Sequence, residues 1–268
     1  MTAPALHRTL LPRTGHAFFA RFAGRLRPIQ EAAIPDLLAG RDAILVAPSA
    51  AGKTEAAAAP LLERRLGDSA SPGPTALYVS PTRALANDIF RRLEGPCLAL
   101  GVALGRRTGD HPSAMRGRDL PRVLITTPES LDSLLCRCPD RLRSVRALVL
   151  DELHLLLESG RGDQLAVLAQ RLRRIAGERV QTVVLSATLP CPEAVGRRFL
   201  DDPVVHRVGG PRPIDVEYLD AADPVDLAPA LSDVVRRLDL RKVLAFVERR
   251  DAVEALHDVR KRGGQIDG

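Results

Sequence analysis

Ala43-Ile44-Leu45-Val46-Ala47-Pro48-Ser49-Ala50-Ala51-Gly52-Lys53-Thr54 reads as a buried strand, a loop and the entry to a helix. The apolar run 43–47 suits a strand covered on both faces, and a helical pattern follows over 54–66. A Gly-Lys-Thr held between strand and helix is the context in which backbone N–H groups and the helix N-terminus cradle a phosphate. Ala47, Pro48, Ser49, Ala50, Ala51 and Gly52 then form the cradle. Lys53 neutralises the terminal phosphates, and the Thr54 hydroxyl ligates Mg²⁺. The loop departs from G-x-x-x-x-G-K-[ST] at one place, Ala47 standing for the first glycine. A chance Gly-Lys-Thr at a helix start is the competing account, and it does not explain the preceding strand.

Outward from this loop the chain alternates. Strands are expected at 76–80, 98–104, 123–126, 147–150 and 183–186, with helices at 84–93, 130–136 and 165–175. The first forty residues read as helical. Buried strands alternating with helices indicate an α/β domain with a mostly parallel sheet, whose ligands sit at the carboxyl ends of the strands. After Phe199-Leu200 the composition shifts to Pro, Gly and Asp. Residues 1–200 are therefore expected as one domain, 201–227 as a linker bearing a short strand, and 228–268 as the start of a second domain, with a helix at 228–238 and a strand at 243–247.

The chain has 268 residues, 45% hydrophobic and 27% charged, which excludes a disordered or collagen-like protein. No apolar run approaches the ~18 residues of a membrane-spanning helix, and the N-terminus lacks a signal-peptide pattern. A cytoplasmic protein with no membrane partner is expected. The net charge of +6 fits a nucleic-acid partner. Almost all of the basic residues are Arg, and Lys53 is the only Lys before position 242. A compact ammonium retained there is hard to replace by a guanidinium. Cys97, Cys136, Cys138 and Cys191 have no zinc-finger spacing and read as free thiols.

Asp151-Glu152-Leu153-His154 directly follows the strand 147–150. Adjacent carboxylates at a strand end repel unless a cation compensates. In a phosphate-loop enzyme Asp151 holds the Mg²⁺, and Glu152 orients and deprotonates the attacking water. His154 is assigned to coupling the nucleotide site to the rest of the machine.

The series APSAAGKT (47–54), SPTRALANDI (80–89), TGD (108–110), TTPES (126–130), DELH (151–154) and SAT (186–188) resembles the first RecA-like domain of a superfamily 2 DEAD/DEAH-box (DExH) helicase. TTPESL, RTGD and GRGDQL (160–165) resemble the Lhr-like group, and VLAFVERR (243–250) resembles the opening of a second RecA-like domain. The resemblance implies a P-loop NTPase fold using ATP and Mg²⁺ on single-stranded DNA or RNA. It implies that Gln30 reads adenine through its amide, although Arg27 stands where many relatives have Thr or Ser. It assigns Ser186 and Thr188 to the link between the γ-phosphate and the nucleic acid. Pro81, Thr82, Arg83, Thr108, Gly109, Thr127, Pro128 and Glu129 match positions that touch the sugar-phosphate backbone, Arg83 replacing a frequent lysine.

In this family the second domain supplies arginine fingers in a Q-x-x-G-R-x-x-R-like motif, and these 268 residues hold none. The expectation is a truncated chain with an incomplete second RecA-like domain. Such a chain would bind Mg-ATP, hydrolyse it slowly alone and fail to unwind duplexes. A non-catalytic nucleic-acid- or protein-binding remnant is the alternative. A kinase or GTPase explains Lys53 and Asp151 but not TTPES, DELH or SAT, and the guanine motif N-K-x-D is missing.

Overall fold

The computed structural model describes residues 10–66, 73–111, 121–157, 159–209 and 233–239. The chain divides into two compact units, Met1–Gly210 and Pro211–Gly268. In the second unit residues 233–237 are helical. Residue 238, expected in the same helix, is in a turn; residues 228–232 and the 243–247 strand lie outside the described residues.

The first unit opens with helix α1 (Gly15–Phe19), a 3₁₀ turn (Ala20–Phe22) and helix α2 (Pro28–Leu38). Strand β1 (Ala43–Val46) then leads into α3 (Lys53–Arg65), β2 (Ala76–Val79) into α4 (Arg83–Ala99), and β3 (Leu104–Arg107) precedes β4 (Val123–Thr126). Helix α5 (Pro128–Arg137), β5 (Ala147–Leu150), the short α6 (His154–Leu157), α7 (Gly160–Ala176), β6 (Gln181–Ser186), α8 (Pro192–Phe199) and β7 (Val204–Arg207) complete it.

The seven strands form one sheet in the order β3-β4-β2-β5-β6-β1-β7, every pair parallel. AILV, ALYV, VLIT and ALVL are buried at every position because both faces of the sheet are covered by helices. Alternate side chains feed two cores. Leu45, Tyr78, Ile125 and Val149 pack with Phe18, Ile34 and Ala56–Ala59 on one face, while Ile44, Leu77, Leu124 and Leu148 pack with Leu134, Leu168 and Phe199 on the other. Ala56–Ala59 are all buried, so α3 can lie close to its neighbours.

One expectation is corrected. The segment 98–104 is not a strand. Helix α4 runs on through Pro96 to Ala99, and the strand begins only at Leu104. Ala86, Ile89, Leu93 and Cys97 keep the helical spacing on the buried face, while Leu98 is 80% exposed. The short strand expected in the linker is β7, an edge strand paired with β1 from Ala43↔Val204 to Val46↔Arg207, and it lies within the first compact unit. Among the described residues no helix is long and apolar enough to cross a membrane.

The strand order sorts the loops. The carboxyl ends of β1, β6 and β5 lie side by side and carry 47–54, 186–188 and 151–154. Those of β2, β4 and β3 form the other half and carry 80–83, 127–130 and 108–110. Because β2 and β5 are neighbours, the two groups of motifs meet along one edge of the sheet.

Candidate functional site

A cleft of about 420 Å³ opens over the first group. Ser49, Ala50, Gly52, Lys53, Thr54, Asp151, Glu152 and Gln30 line it. Ala47, Pro48 and Ala51 lie in the loop but not on the cleft wall. Instead the carbonyls of Ala47 and Pro48 accept hydrogen bonds from Lys53 Nζ at 2.8 and 3.3 Å. Lys53 Nζ also sits 3.8 Å from Glu152 Oε1. Burial pulls the Lys53 ammonium below the ordinary lysine value, partly offset by the charges of Glu152 and Asp151.

The loop's shape is set by its backbone. Ala50 and Gly52 adopt positive φ, 61° and 91°. A Cβ on Gly52 would collide with the Gln30 amide, so glycine is required by both conformation and space. Gln30 is 2% exposed. Its Nε2 donates to the Gly52 carbonyl at 3.2 Å, and its Oε1 accepts from the Arg27 N–H at 2.9 Å, which also caps α2. One N–H and one lone pair of the amide are thus spent on fixing the loop. The Arg27 guanidinium donates to the Ala50 carbonyl and lies 5.6 Å from the Phe22 ring centre.

Asp151 is buried at the end of β5, where desolvation and the neighbouring Glu152 push its carboxyl up to about 7. Glu152 has φ 42°, a left-handed conformation that costs a non-glycine residue on the order of 1 kcal/mol. Its buried Oε2 has no hydrogen-bond partner. Two crowded carboxylates, one an orphan acceptor, beside the Thr54 hydroxyl and a lysine suit a divalent cation shared with a polyphosphate. Among the described residues no group of three His, Cys, Asp or Glu could hold a metal alone.

Behind the cleft, His154 Nδ1 lies 3.4 Å from Glu152 Oε2 and 3.1 Å from Ser186 Oγ. Ser186 in turn donates to the Thr188 carbonyl at 2.6 Å. His154, Ser186 and Thr188 do not line the cleft; they form a chain leading away from it.

A second cavity, about 560 Å³, is lined by Pro81, Thr82, Arg83, Thr108, Gly109, Thr127 and Glu129. Of the eight expected backbone contacts only Pro128 is absent, buried at the first position of α5. The Thr82 and Thr127 hydroxyls cap α4 and α5, accepting from Leu85 N and Ser130 N at 3.2 and 3.4 Å. Arg83 pairs with Asp110 at 2.7 Å.

Several lining residues were missed by sequence reasoning. Phe22, Glu55, Asp88 and Arg92 line the first cleft, and Arg107, Ser130, Ser133, Arg137 and Arg161 the second. Glu55 is buried and paired with Arg92 at 3.1 Å and Arg21 at 3.2 Å, which ties α3 to α4 and to the N-terminal turn. Arg161 belongs to the GRGDQL stretch, where two flanking glycines were the available signal.

The DEAD/DEAH box helicase family model matches residues 27–195. Over 294 aligned residues the chain is 33% identical to the ATP-dependent helicase Lhr-Core of Methanothermobacter thermautotrophicus, covering 95% of this chain and 33% of that protein. It is 34% identical over 250 residues to a Lhr helicase/probable uracil glycosylase of Mycolicibacterium smegmatis, covering 85% of this chain and 16% of that protein. The structure of Mycobacterium smegmatis helicase Lhr bound to ssDNA and AMP-PNP is similar with a TM-score of 0.75 and 28% identity, over 97% of this chain and 36% of that one. The fold of S. cerevisiae Dbp5 bound to RNA and ADP BeF3 is similar with a TM-score of 0.77, over 97% of this chain and 68% of that one. The chain thus spans a third or less of the length of these two curated relatives.

Proposed function

The chain belongs to the DEAD/DEAH box helicase family and is Lhr-like within it, and from that premise we propose that it is the ATP-binding motor part of a nucleic-acid helicase. In this reading it binds Mg-ATP in the 420 Å³ cleft, hydrolyses it, and couples hydrolysis to a single strand of DNA or RNA held in the 560 Å³ groove. The observation that carries the proposal is the adjacency of the two sites: Lys53, Thr54, Asp151 and Glu152 share one cleft, while seven backbone-contact candidates line the next.

With nucleotide bound, Lys53 would exchange the Ala47 and Pro48 carbonyls for phosphate oxygens, the cradle's backbone N–H groups would share the anion, and Thr54 and Asp151 would hold the metal. Bound Mg²⁺ supplies charge neutralisation at the reacting phosphate. Glu152, whose Oε2 has no hydrogen-bond partner, positions a water and takes its proton. Gln30 contacts the adenine through the amide atoms the loop leaves unused. The Lhr structure with ssDNA and AMP-PNP supports the same pair of ligands.

No Q-x-x-G-R-x-x-R-like motif occurs in these 268 residues. Arginine fingers contribute on the order of 10³-fold or more to phosphoryl transfer. The chain by itself is therefore expected to bind Mg-ATP tightly, turn it over slowly and not unwind a tailed duplex. The test is nucleotide hydrolysis and binding with and without single-stranded DNA and RNA, on this chain, Lys53→Ala and Glu152→Gln. Magnesium-dependent ATP binding lost in Lys53→Ala but kept in Glu152→Gln supports the reading. Binding that survives Lys53→Ala overturns it.

A further inference from the structure

The GRGDQL stretch has no role in the nucleotide cleft, yet it delivers a side chain to the groove. Helix α7 starts against α6 because residue 162 is glycine: a Cβ there would stand 2.5 Å from the Leu156 carbonyl oxygen. That close approach brings Arg161 between the two loops expected to contact phosphates. Its Nε donates to Glu129 Oε1 at 2.9 Å, its Nη2 lies 2.7 Å from the same oxygen, and Nη2 also donates to the Pro81 carbonyl at 2.7 Å.

Glu129 presents a difficulty that this geometry resolves. It lines a groove proposed to hold a polyanion, and its side chain is 56% exposed. Partial burial pulls its carboxyl upward, but its own backbone N–H and the Arg161 guanidinium hold it below the ordinary glutamate value. The carboxylate is therefore charged, and unmasked it would repel phosphate.

We infer that Arg161 is a positioning residue of the strand groove, masking the Glu129 charge and pinning the loop at Pro81 to the loop at Thr127–Glu129 so that both present their contacts to one sugar-phosphate backbone. The inference rests on the groove's proposed use for single strands. Arg161 acts through Glu129 and Pro81. Were Arg161 instead to meet phosphate directly, removing it would weaken binding equally with and without the Glu129 carboxylate.

The experiment is a double-mutant cycle on the full chain, read as the affinity for a fluorescein-labelled oligo-dT by anisotropy at fixed salt. Arg161→Ala is expected to weaken binding about tenfold in the wild-type background, but by no more than about threefold when Glu129 is already glutamine, because the charge that Arg161 masks is then gone and only its bond to the Pro81 carbonyl is lost. Strand binding by the double variant also shows that it folds. Should Arg161→Ala fail to fold, Arg161→Gln in the same two backgrounds reads the same cycle. An equal loss from the Arg161 change with and without the Glu129 carboxylate overturns the assignment. A wild-type chain that binds no strand sinks the groove reading itself, whereas additive losses in a chain that binds sink only the role of Arg161.

Discussion

Ser186 Oγ and His154 Nδ1 lie 3.1 Å apart, and the single hydroxyl proton of Ser186 is spent on the Thr188 carbonyl at 2.6 Å. Ser186 therefore accepts from His154, which fixes the proton on Nδ1. The same Nδ1 lies 3.4 Å from Glu152 Oε2 without a hydrogen bond to it, so a shift of Glu152 toward a bound water changes the charge beside the ring that holds Ser186. The end of β6 and the end of β5 are thereby joined through a histidine that touches neither cavity.

If this chain of contacts carries coupling, Ser186→Ala and His154→Ala leave nucleotide binding in place and reduce the stimulation of hydrolysis by single strands, by about fivefold or more. Linkage demands reciprocity in binding. The factor by which nucleotide changes strand affinity must equal the factor by which strand changes nucleotide affinity, and both should shrink together in the variants. Equal stimulation in wild type and His154→Ala would remove His154 from the coupling path.

Asp151 gives a pH test with a definite sign. Burial and Glu152 raise its folded value to about 7 from 3.8, so the folded chain holds the proton more tightly than the unfolded one. This group therefore weakens the metal-free fold fully above pH 7, and the penalty fades as pH falls toward 4. Asp151→Asn is expected to stabilise the nucleotide-free chain at pH 8 by on the order of 2 kcal/mol, with little gain near pH 4, while abolishing Mg-dependent nucleotide binding. Chemical denaturation at the two pH values checks it, and a destabilised variant at pH 8 would contradict the argument.

Much of this arrangement was legible in the residues. Runs such as Ala147–Leu150 announce strands because burial on both faces removes any need for polar alternation. The motifs after them could be ordered along the chain. What could not be read was adjacency. That Pro81, Thr108 and Thr127 face one groove follows from β2, β4 and β3 being neighbours, an order set by crossovers rather than by any local pattern. Arg161 and Arg92 act through partners 80 and 37 residues away, Pro81 and Glu55. Helix α4 hid its last turn behind Gly95-Pro96, which look like a stop although Cys97 keeps the buried spacing.

Glu63 anchors the N-terminal segment. It is buried, and its carboxylate accepts from Arg13 N and Nε at 3.1 and 2.9 Å and from Thr14 N and Oγ1 at 2.7 and 2.8 Å. Burial alone would raise its carboxyl, but these donors, led by Arg13, hold it below 4.5. A lowered carboxyl contributes stability above its unfolded value and loses it as pH falls through the folded one. Glu63→Gln should cost about 1–3 kcal/mol at pH 7 and flatten the acid limb of the stability profile. An unchanged acid limb would show that the ionised carboxylate is not what these donors stabilise.

Gly52 and Gly101 separate backbone strain from steric fit. Both have positive φ, 91° and 64°, so alanine at either position pays for a left-handed conformation, about 1 kcal/mol. A Cβ on Gly101 meets nothing within 4 Å, whereas one on Gly52 collides with the Gln30 amide and comes within 3.3 Å of Arg27 Cδ. Gly101→Ala is therefore expected to lower stability by about that amount and leave nucleotide binding alone. Gly52→Ala must displace Gln30, break its bond to the Gly52 carbonyl and open the cradle, so ATP affinity should fall at least tenfold beyond any stability loss. Titration with a fluorescent ATP analogue at a temperature where both variants are fully folded decides it: equal affinities would mean that Gln30 does not set the loop's shape.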